Sequence, residues 1–259
     1  MNETYEEKVA VYIDSVLPKQ FSYERKKVSE DWLKKSRMAE GIVSDFVRRV
    51  EAVEGKRILD IGFGNGLTLK AFADQGGVMS GLEVSKSLFS IATDVLSNYG
   101  VSADLKTYDG FTFPFANESF DFIYSVSVLE HVDDPVAVLK EASRVLRYGG
   151  SFYLAFPNRF NPKETHTGIW FASYLPRKVA DLYLKMCGRS GVDMYWNVHF
   201  LSFFKLKRFL KEGAIPMTIR FETESLHPIK RFIKKTLALL GLHHSIFLPH
   251  IMVILDKKK

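Results

Sequence analysis

Cysteine is almost absent: one residue, Cys187, in a chain of 259. That excludes an intramolecular disulfide, a cysteine-based metal cluster and the disulfide-stapled secreted class. A reducing, cytoplasmic setting is the expectation. The opening MNETYEEKVAVY is acidic and has no apolar core behind a basic start, so it does not read as a secretory leader. Long hydrophobic runs are scarce too. Residues 236–255 lack Asp, Glu, Lys and Arg, but Gly241, His243, His244, Pro249 and His250 interrupt them. Such residues are costly in hydrocarbon, so the stretch reads as a helix end, a loop and a final strand rather than a span. No repeat and no low-complexity linker occurs. No groove-like interleaving of aromatic and basic residues argues for nucleic acid as a partner.

What is present is an ordinary globular composition, 46% apolar and 25% charged, which excludes global disorder. The length suits one large α/β domain. Charge is uneven. After residue 200 there are 12 Lys/Arg against 4 Asp/Glu, a balance of +8, while the total of +6 leaves −2 for the rest. A basic end of this kind is a solvated surface or a face for an anionic substrate or membrane.

Residues 1–55 read as helices, with Ile42, Val43, Phe46, Val47 and Val50 at helical spacing. The pattern then changes to strands alternating with helices. Strands are expected at 57–61, 78–83, 103–108, 120–125 and 151–156. Helices are expected at 67–74, 85–99 and 135–146, the last opened by Pro135 and stopped by Gly149-Gly150. This alternation predicts a doubly wound, Rossmann-like α/β sheet with ligands at the carboxyl ends of its strands. Further elements are expected at 203–212 (helix), 215–223 (strand), 227–242 (helix) and 251–255 (strand).

The turn after the first strand is Asp60-Ile61-Gly62-Phe63-Gly64-Asn65-Gly66. Glycines there let a ligand approach the backbone, and the helix behind it favours anionic groups. A dinucleotide fingerprint would need a third glycine at position 67, which is Leu67, and no Gly-Lys-Ser/Thr follows for a triphosphate loop. Glu83 ends the second strand 17 positions after Gly66 and suits both hydroxyls of a ribose, or alternatively caps the next helix.

These residues resemble the first motif of class I S-adenosylmethionine-dependent methyltransferases. Tyr108-Asp109-Gly110, Phe113-Pro114-Phe115, residues 119–125, Leu129-Glu130-His131-Val132-Asp133-Asp134-Pro135 and Arg144-Val145-Leu146-Arg147-Tyr148-Gly149-Gly150 resemble its later motifs, in order. The subgroup includes ubiquinone- and menaquinone-biosynthesis-like and polysaccharide-associated enzymes. The resemblance covers residues 56–158 and implies a seven-stranded, mostly parallel sheet with an antiparallel last strand. It implies S-adenosylmethionine as cofactor and S-adenosylhomocysteine as product. In that scheme Gly62, Gly64 and Gly66 pass the methionine part, and Asp60 holds its amino group. Glu83 takes the ribose, Val84 packs on adenine, Asp109 accepts from the adenine amino group beside Gly110, and Ser125 lines the methionine side.

A sulfonium methyl is already activated, so aligning the acceptor supplies most of the acceleration. A base helps when the acceptor is a hydroxyl, and His131 is the candidate, with a structural role in its loop as the alternative. Glu130-His131 could help hold a divalent metal, but the sequence shows no second ligand cluster, and no metal is expected. Residues 157–200 read as an inserted helical lid over the acceptor, with Arg159, His166, Trp170, Tyr174 and His199 as candidate substrate residues. Its pattern resembles polysaccharide- or glycolipid-associated methyltransferases. This implies O-methylation of a small-molecule, glycan or lipid-linked hydroxyl, with a quinone ring as the alternative. A degenerate fold serving as a binding module and an NAD-linked oxidoreductase are the other readings. Residues 227–242 form a basic amphipathic helix, expected to pack on the sheet with its lysines in water, or else to touch anionic membrane. A monomer or homodimer is expected.

Overall fold

The computed structural model describes residues 35–188, 198–223 and 227–258. The expected helices before residue 35 and the aromatic pair Tyr195-Trp196 lie outside them. The described chain runs α1 (Lys35–Arg49), β1 (Arg57–Ile61), α2 (Leu67–Asp74), β2 (Val78–Glu83), α3 (Lys86–Asn98), β3 (Ala103–Thr107), β4 (Phe120–Val126), α4 (Pro135–Val145) and β5 (Leu146–Pro157). It continues through α5 (Arg177–Met186), α6 (Phe203–Glu212), β6 (Met217–Arg220), α7 (Pro228–Leu239) and β7 (His250–Lys257).

The seven strands form one sheet in the order β3-β2-β1-β4-β5-β7-β6. β1 to β5 are parallel, and β7 runs antiparallel to both β5 and β6. Alternation along each strand feeds two apolar layers. Leu59, Ile61 and Ile123 pack with Leu139 of α4 and Leu206 of α6 on one face. Ile58, Phe122 and Tyr124 pack with Phe46 of α1, Phe72 of α2 and Ile91 of α3 on the other. The ring of Phe46 meets Phe72 and Phe122 edge-on, at 5.1 and 5.5 Å. The strand order reverses at β1 and β4, so the turns after those two strands open a crevice at their carboxyl ends.

Three elements differ from expectation. β5 begins at Leu146, directly after α4, so Gly149-Gly150 lies inside a strand instead of ending a helix. The β4–β5 register shifts there, and a Cβ on Gly150 would lie 2.7 Å from the Asp121 carbonyl oxygen. Only glycine lets the two backbones approach this closely. β6 is short because pairing with β7 spans only Met217 to Arg220. The third difference is α7: none of its residues is buried, so its apolar side does not pack on the sheet.

Between β5 and α5 the insert is irregular apart from a 3-10 turn at Ala172–Tyr174 and a bridge between Lys163 and Trp170. The stretch at 236–255 resolves into the end of α7, a 3-10 turn (His244–Phe247) and β7. Among the described residues no helix is long and apolar enough to cross a membrane.

Candidate active site

The glycines of the first turn all have positive φ, 73° at Gly62, 56° at Gly64 and 79° at Gly66, which L side chains resist. What surrounds each one differs. A Cβ on Gly62 would lie 2.3 Å from Val128 Cγ2, and one on Gly66 would lie 3.0 Å from Ala92 Cβ of α3. A Cβ on Gly64 would meet nothing within 4 Å. So Gly62 and Gly66 are fixed by packing within the protein, whereas Gly64 leaves space for a ligand.

Glu83 is buried, and its carboxylate is clamped by backbone amides. Gly64 N–H donates to Oε2 at 3.1 Å, and the Val84 and Ser85 amides donate to Oε1 at 3.0 Å each. Burial still pushes its pKa up. The capping of α3 falls to Ser85, whose side chain accepts from Leu88 N–H, which leaves Glu83 available to the cleft. Asp109 Oδ1 accepts from the amides of Phe111 and Thr112 at 2.8 and 2.7 Å, and these hold its carboxyl below the usual range. Gly62, Gly64, Glu83, Val84, Asp109 and Gly110 line one cleft of about 710 Å³, and His131 lines it too.

Asp60 sits beneath this turn, 2% exposed, and its Oδ2 is buried without a hydrogen-bond partner. Burial, with the negative charge of Glu83 added, pushes its pKa to about 8. An orphaned buried carboxyl asks for a cationic donor. The amino group and ribose of S-adenosylmethionine fit this acceptor set: an acid with one orphaned oxygen, a clamped carboxylate and an open glycine.

A second group of polar residues adjoins the cleft. Glu130 is 1% exposed, and both of its carboxylate oxygens lack a partner. Burial raises its pKa to about 7. His131 Nε2 stands 3.9 Å from Glu130 Oε1, and its ring meets that of His166 edge-on at 5.5 Å. Burial, then the charge of His166, lowers the His131 pKa to about 4. His166 is held the other way. Its Nδ1 lies 2.8 Å from Glu164 Oε1, and this carboxylate outweighs burial to raise its pKa. Glu164 is itself buried and takes the Thr167 amide and hydroxyl on Oε2.

Residues 59–154 match the family model described as a methyltransferase domain. The chain carries a methyltransferase domain. It is 33% identical over 133 residues to a ubiquinone biosynthesis O-methyltransferase of Hahella chejuensis, covering 51% of this chain and 55% of that protein. It is 35% identical over 112 residues to the protein of that name in Parvibaculum lavamentivorans, covering 43% and 44%. The chain therefore spans about half the length of the curated relatives it matches. Among solved structures, an S-adenosylmethionine-dependent methyltransferase from Mesorhizobium loti aligns with TM-score 0.55 and 17% identity over 82% of this chain and 95% of that one. The 4+2 cyclase SpnF aligns with TM-score 0.57 and 16% identity over 85% and 80%. Likeness at that level fixes the Rossmann-like fold and leaves the reaction to the site.

The methyltransferase domain distributes the expected residues unevenly. Asp60, Gly66 and Ser125 do not line the cleft. Ser125 is buried, and its hydroxyl donates to the Ile61 carbonyl at 3.2 Å, joining β4 to β1. His166 comes from the insert to meet His131, and His199 donates its backbone N–H to the Glu130 carbonyl at 2.7 Å. Arg159, His166 and His199 surround a small cavity beside this group. Trp170 and Tyr174 lie away from the cleft in an exposed aromatic cluster with Phe171, and Tyr174 donates its hydroxyl to the Phe160 carbonyl. Sequence reasoning missed Glu164 and the cleft-lining Tyr108, Phe111 and Val128. The run Glu164-Thr165-His166-Thr167 was the available sign of an oriented histidine. Asp134, in the Asp-Asp-Pro motif, caps α4 by accepting from the Val136 and Ala137 amides.

Glu83→Ala removes the acceptor for two ligand hydroxyls. The expected loss is about 1–3 kcal/mol in S-adenosylhomocysteine affinity, read by calorimetry on a variant with an unchanged far-UV spectrum. Unchanged affinity refutes the assignment of Glu83 to the ribose.

Proposed function

We propose that this chain transfers a methyl group from S-adenosylmethionine to a hydroxyl on a glycan or lipid-linked acceptor. The observation that carries the reading is one cleft lined by Gly64, Glu83, Asp109 and His131, with Asp60 buried in the strand beneath its glycine turn and one carboxylate oxygen there without a partner. Bound S-adenosylmethionine supplies a methyl on a sulfonium, which leaves as the thioether of S-adenosylhomocysteine when an acceptor oxygen takes the methyl. The chain's own work is on the other partner. His131, neutral at pH 7, takes the acceptor proton. His166 is oriented by Glu164 and stands against the His131 ring, and Glu130 offers a second proton site behind both. The names of the relatives support O-methylation. Arg159, His166 and His199 of the insert, around the small cavity beside the proton-handling group, support a polar acceptor. A quinone ring is the alternative acceptor.

Calorimetry with S-adenosylhomocysteine and NAD, followed by an acceptor screen with radiolabelled donor, tests this reading. Binding of the first ligand alone, with label transferred to a hydroxylated acceptor, is expected. Binding without transfer to any acceptor identifies a binding module, and binding of NAD alone an oxidoreductase. One observation favours a cation at the proton site. Glu130, His131 and His166 each offer a ligating atom, all within 4.8 Å of one another. Activity that survives exhaustive chelation assigns the group to proton transfer. Activity lost to chelation and restored by a divalent ion assigns it to the cation.

A further inference from the structure

We infer that α7 and the 3-10 turn after it form a docking surface for an anionic phospholipid bilayer. Apolar residues recur along α7 and its C-terminal cap at Ile229, Phe232, Ile233, Leu237 and Leu240, the spacing of one helical face. Such a face ordinarily turns to the core. Here it turns outward: Phe232 is 71% exposed, Leu239 89%, and Ile229, Ile233 and Leu240 are exposed with them. The helix leans on the protein by its flank, where Lys234, Leu237 and Ala238 are half-buried. The turn that follows adds Phe247, 74% exposed, and Leu248. The result is a set of exposed large apolar residues on α7 and the turn after it, on a protein with enough core to have hidden them.

Charge selects the occupant. α7 carries Lys230, Arg231, Lys234 and Lys235 beside the apolar arc and no acidic residue. A second copy docking by two-fold symmetry would set four cations against four cations. A bilayer offers an apolar interior beneath a layer of anionic headgroups, which matches an apolar arc flanked by bases. At 12 residues, α7 is too short to cross. It would lie in the interface plane.

Position gives the contact a use. The 3-10 turn leads into β7 at His250, which pairs with Pro157 at the carboxyl end of β5. That is the edge where the cleft opens and the insert begins. A bilayer under α7 would therefore border the acceptor side of the molecule. The inference does not depend on which reaction the cleft performs.

The test is co-sedimentation with vesicles of phosphatidylcholine alone and of phosphatidylcholine with phosphatidylglycerol, at low and high salt. The intact chain is expected to pellet with the anionic vesicles at low salt and to be released by high salt. Changing Lys230, Arg231, Lys234 and Lys235 to Gln should lower partitioning about fivefold per charge, several hundredfold in all. Ile229→Ser with Phe232→Ser should abolish it at low salt while leaving the melting temperature unchanged. The proposal is overturned by absence of salt-sensitive partitioning in the wild type, or by full partitioning of the double-serine variant. It is also overturned if sedimentation velocity shows a dimer that Phe232→Ser dissolves, which would make the face an interface between copies.

Discussion

His131→Ala lowers turnover by about 10²–10⁴ and leaves S-adenosylhomocysteine affinity within about twofold of wild type. The histidine lines the cleft, yet no cofactor-side group bonds to its ring. Sequence alone suggests an activity limb near the ordinary histidine pKa of about 6.5. The structure moves it. Burial and the neighbouring His166 cation lower the His131 pKa to about 4, so its base form is already complete at neutral pH. Activity should fall as pH drops through about 4, and His131→Ala should lose that limb. Glu130 titrates near 7, and its ionisation sets a negative charge beside His131 that strengthens the base. A second rise in turnover near pH 7 is therefore expected in the wild type and absent in Glu130→Gln. A His131→Ala enzyme with near-normal turnover would show that alignment alone drives the transfer.

Asp60→Asn is expected to move stability and ligand affinity in opposite directions. The folded pKa of Asp60, about 8, lies above the unfolded aspartate value of about 3.9. Between those values the folded state holds a proton that the unfolded state has released. Folding stability of the ligand-free protein therefore falls as pH rises across that window, at about 1.4 kcal/mol per pH unit at most. Asparagine has no such titration. The melting temperature of ligand-free Asp60→Asn should overtake that of wild type as pH rises toward 8. Its affinity for S-adenosylhomocysteine should fall tenfold or more, because the cationic amino group loses its counter-charge. A variant whose melting temperature tracks wild type at every pH would show that Asp60 is ionised and partnered in the free protein.

The parts of the site that were legible in sequence are those written in consecutive residues. The turn from Asp60 to Gly66 and the acid Glu83 ending β2 are local patterns whose geometry follows from strand, turn and helix. The proton-handling group is not local. Glu130 and His166 are 36 positions apart and meet only because the insert folds back over the end of β4. Gly149-Gly150 was misread for a related reason: the signal for stopping a helix and the signal for a close β4–β5 approach are the same two residues. α7 shows a further limit. Periodicity defines an apolar face, but the direction in which that face points depends on neighbours that the helix does not encode. Trp170 and Tyr174 carry the chemistry expected of an acceptor lid, yet they pack with Phe171 on the outside.

Asn158 has a mechanical consequence. Its side-chain amide donates to the carbonyls of Ile246 and Leu248, both at 2.9 Å, and its Oδ1 accepts from Phe160 N–H. Its own N–H reaches the Pro249 carbonyl, and Arg159 N–H reaches that of Leu201. Both rails of the insert are thus riveted at their roots, to each other and to the approach to β7. The roots themselves stay in register with the sheet, so His199 and the Glu130 carbonyl it binds remain fixed, and the arc with Trp170 and Tyr174 is tied back to the outgoing root by Ser173 and Tyr174, whose hydroxyls donate to the Arg159 and Phe160 carbonyls.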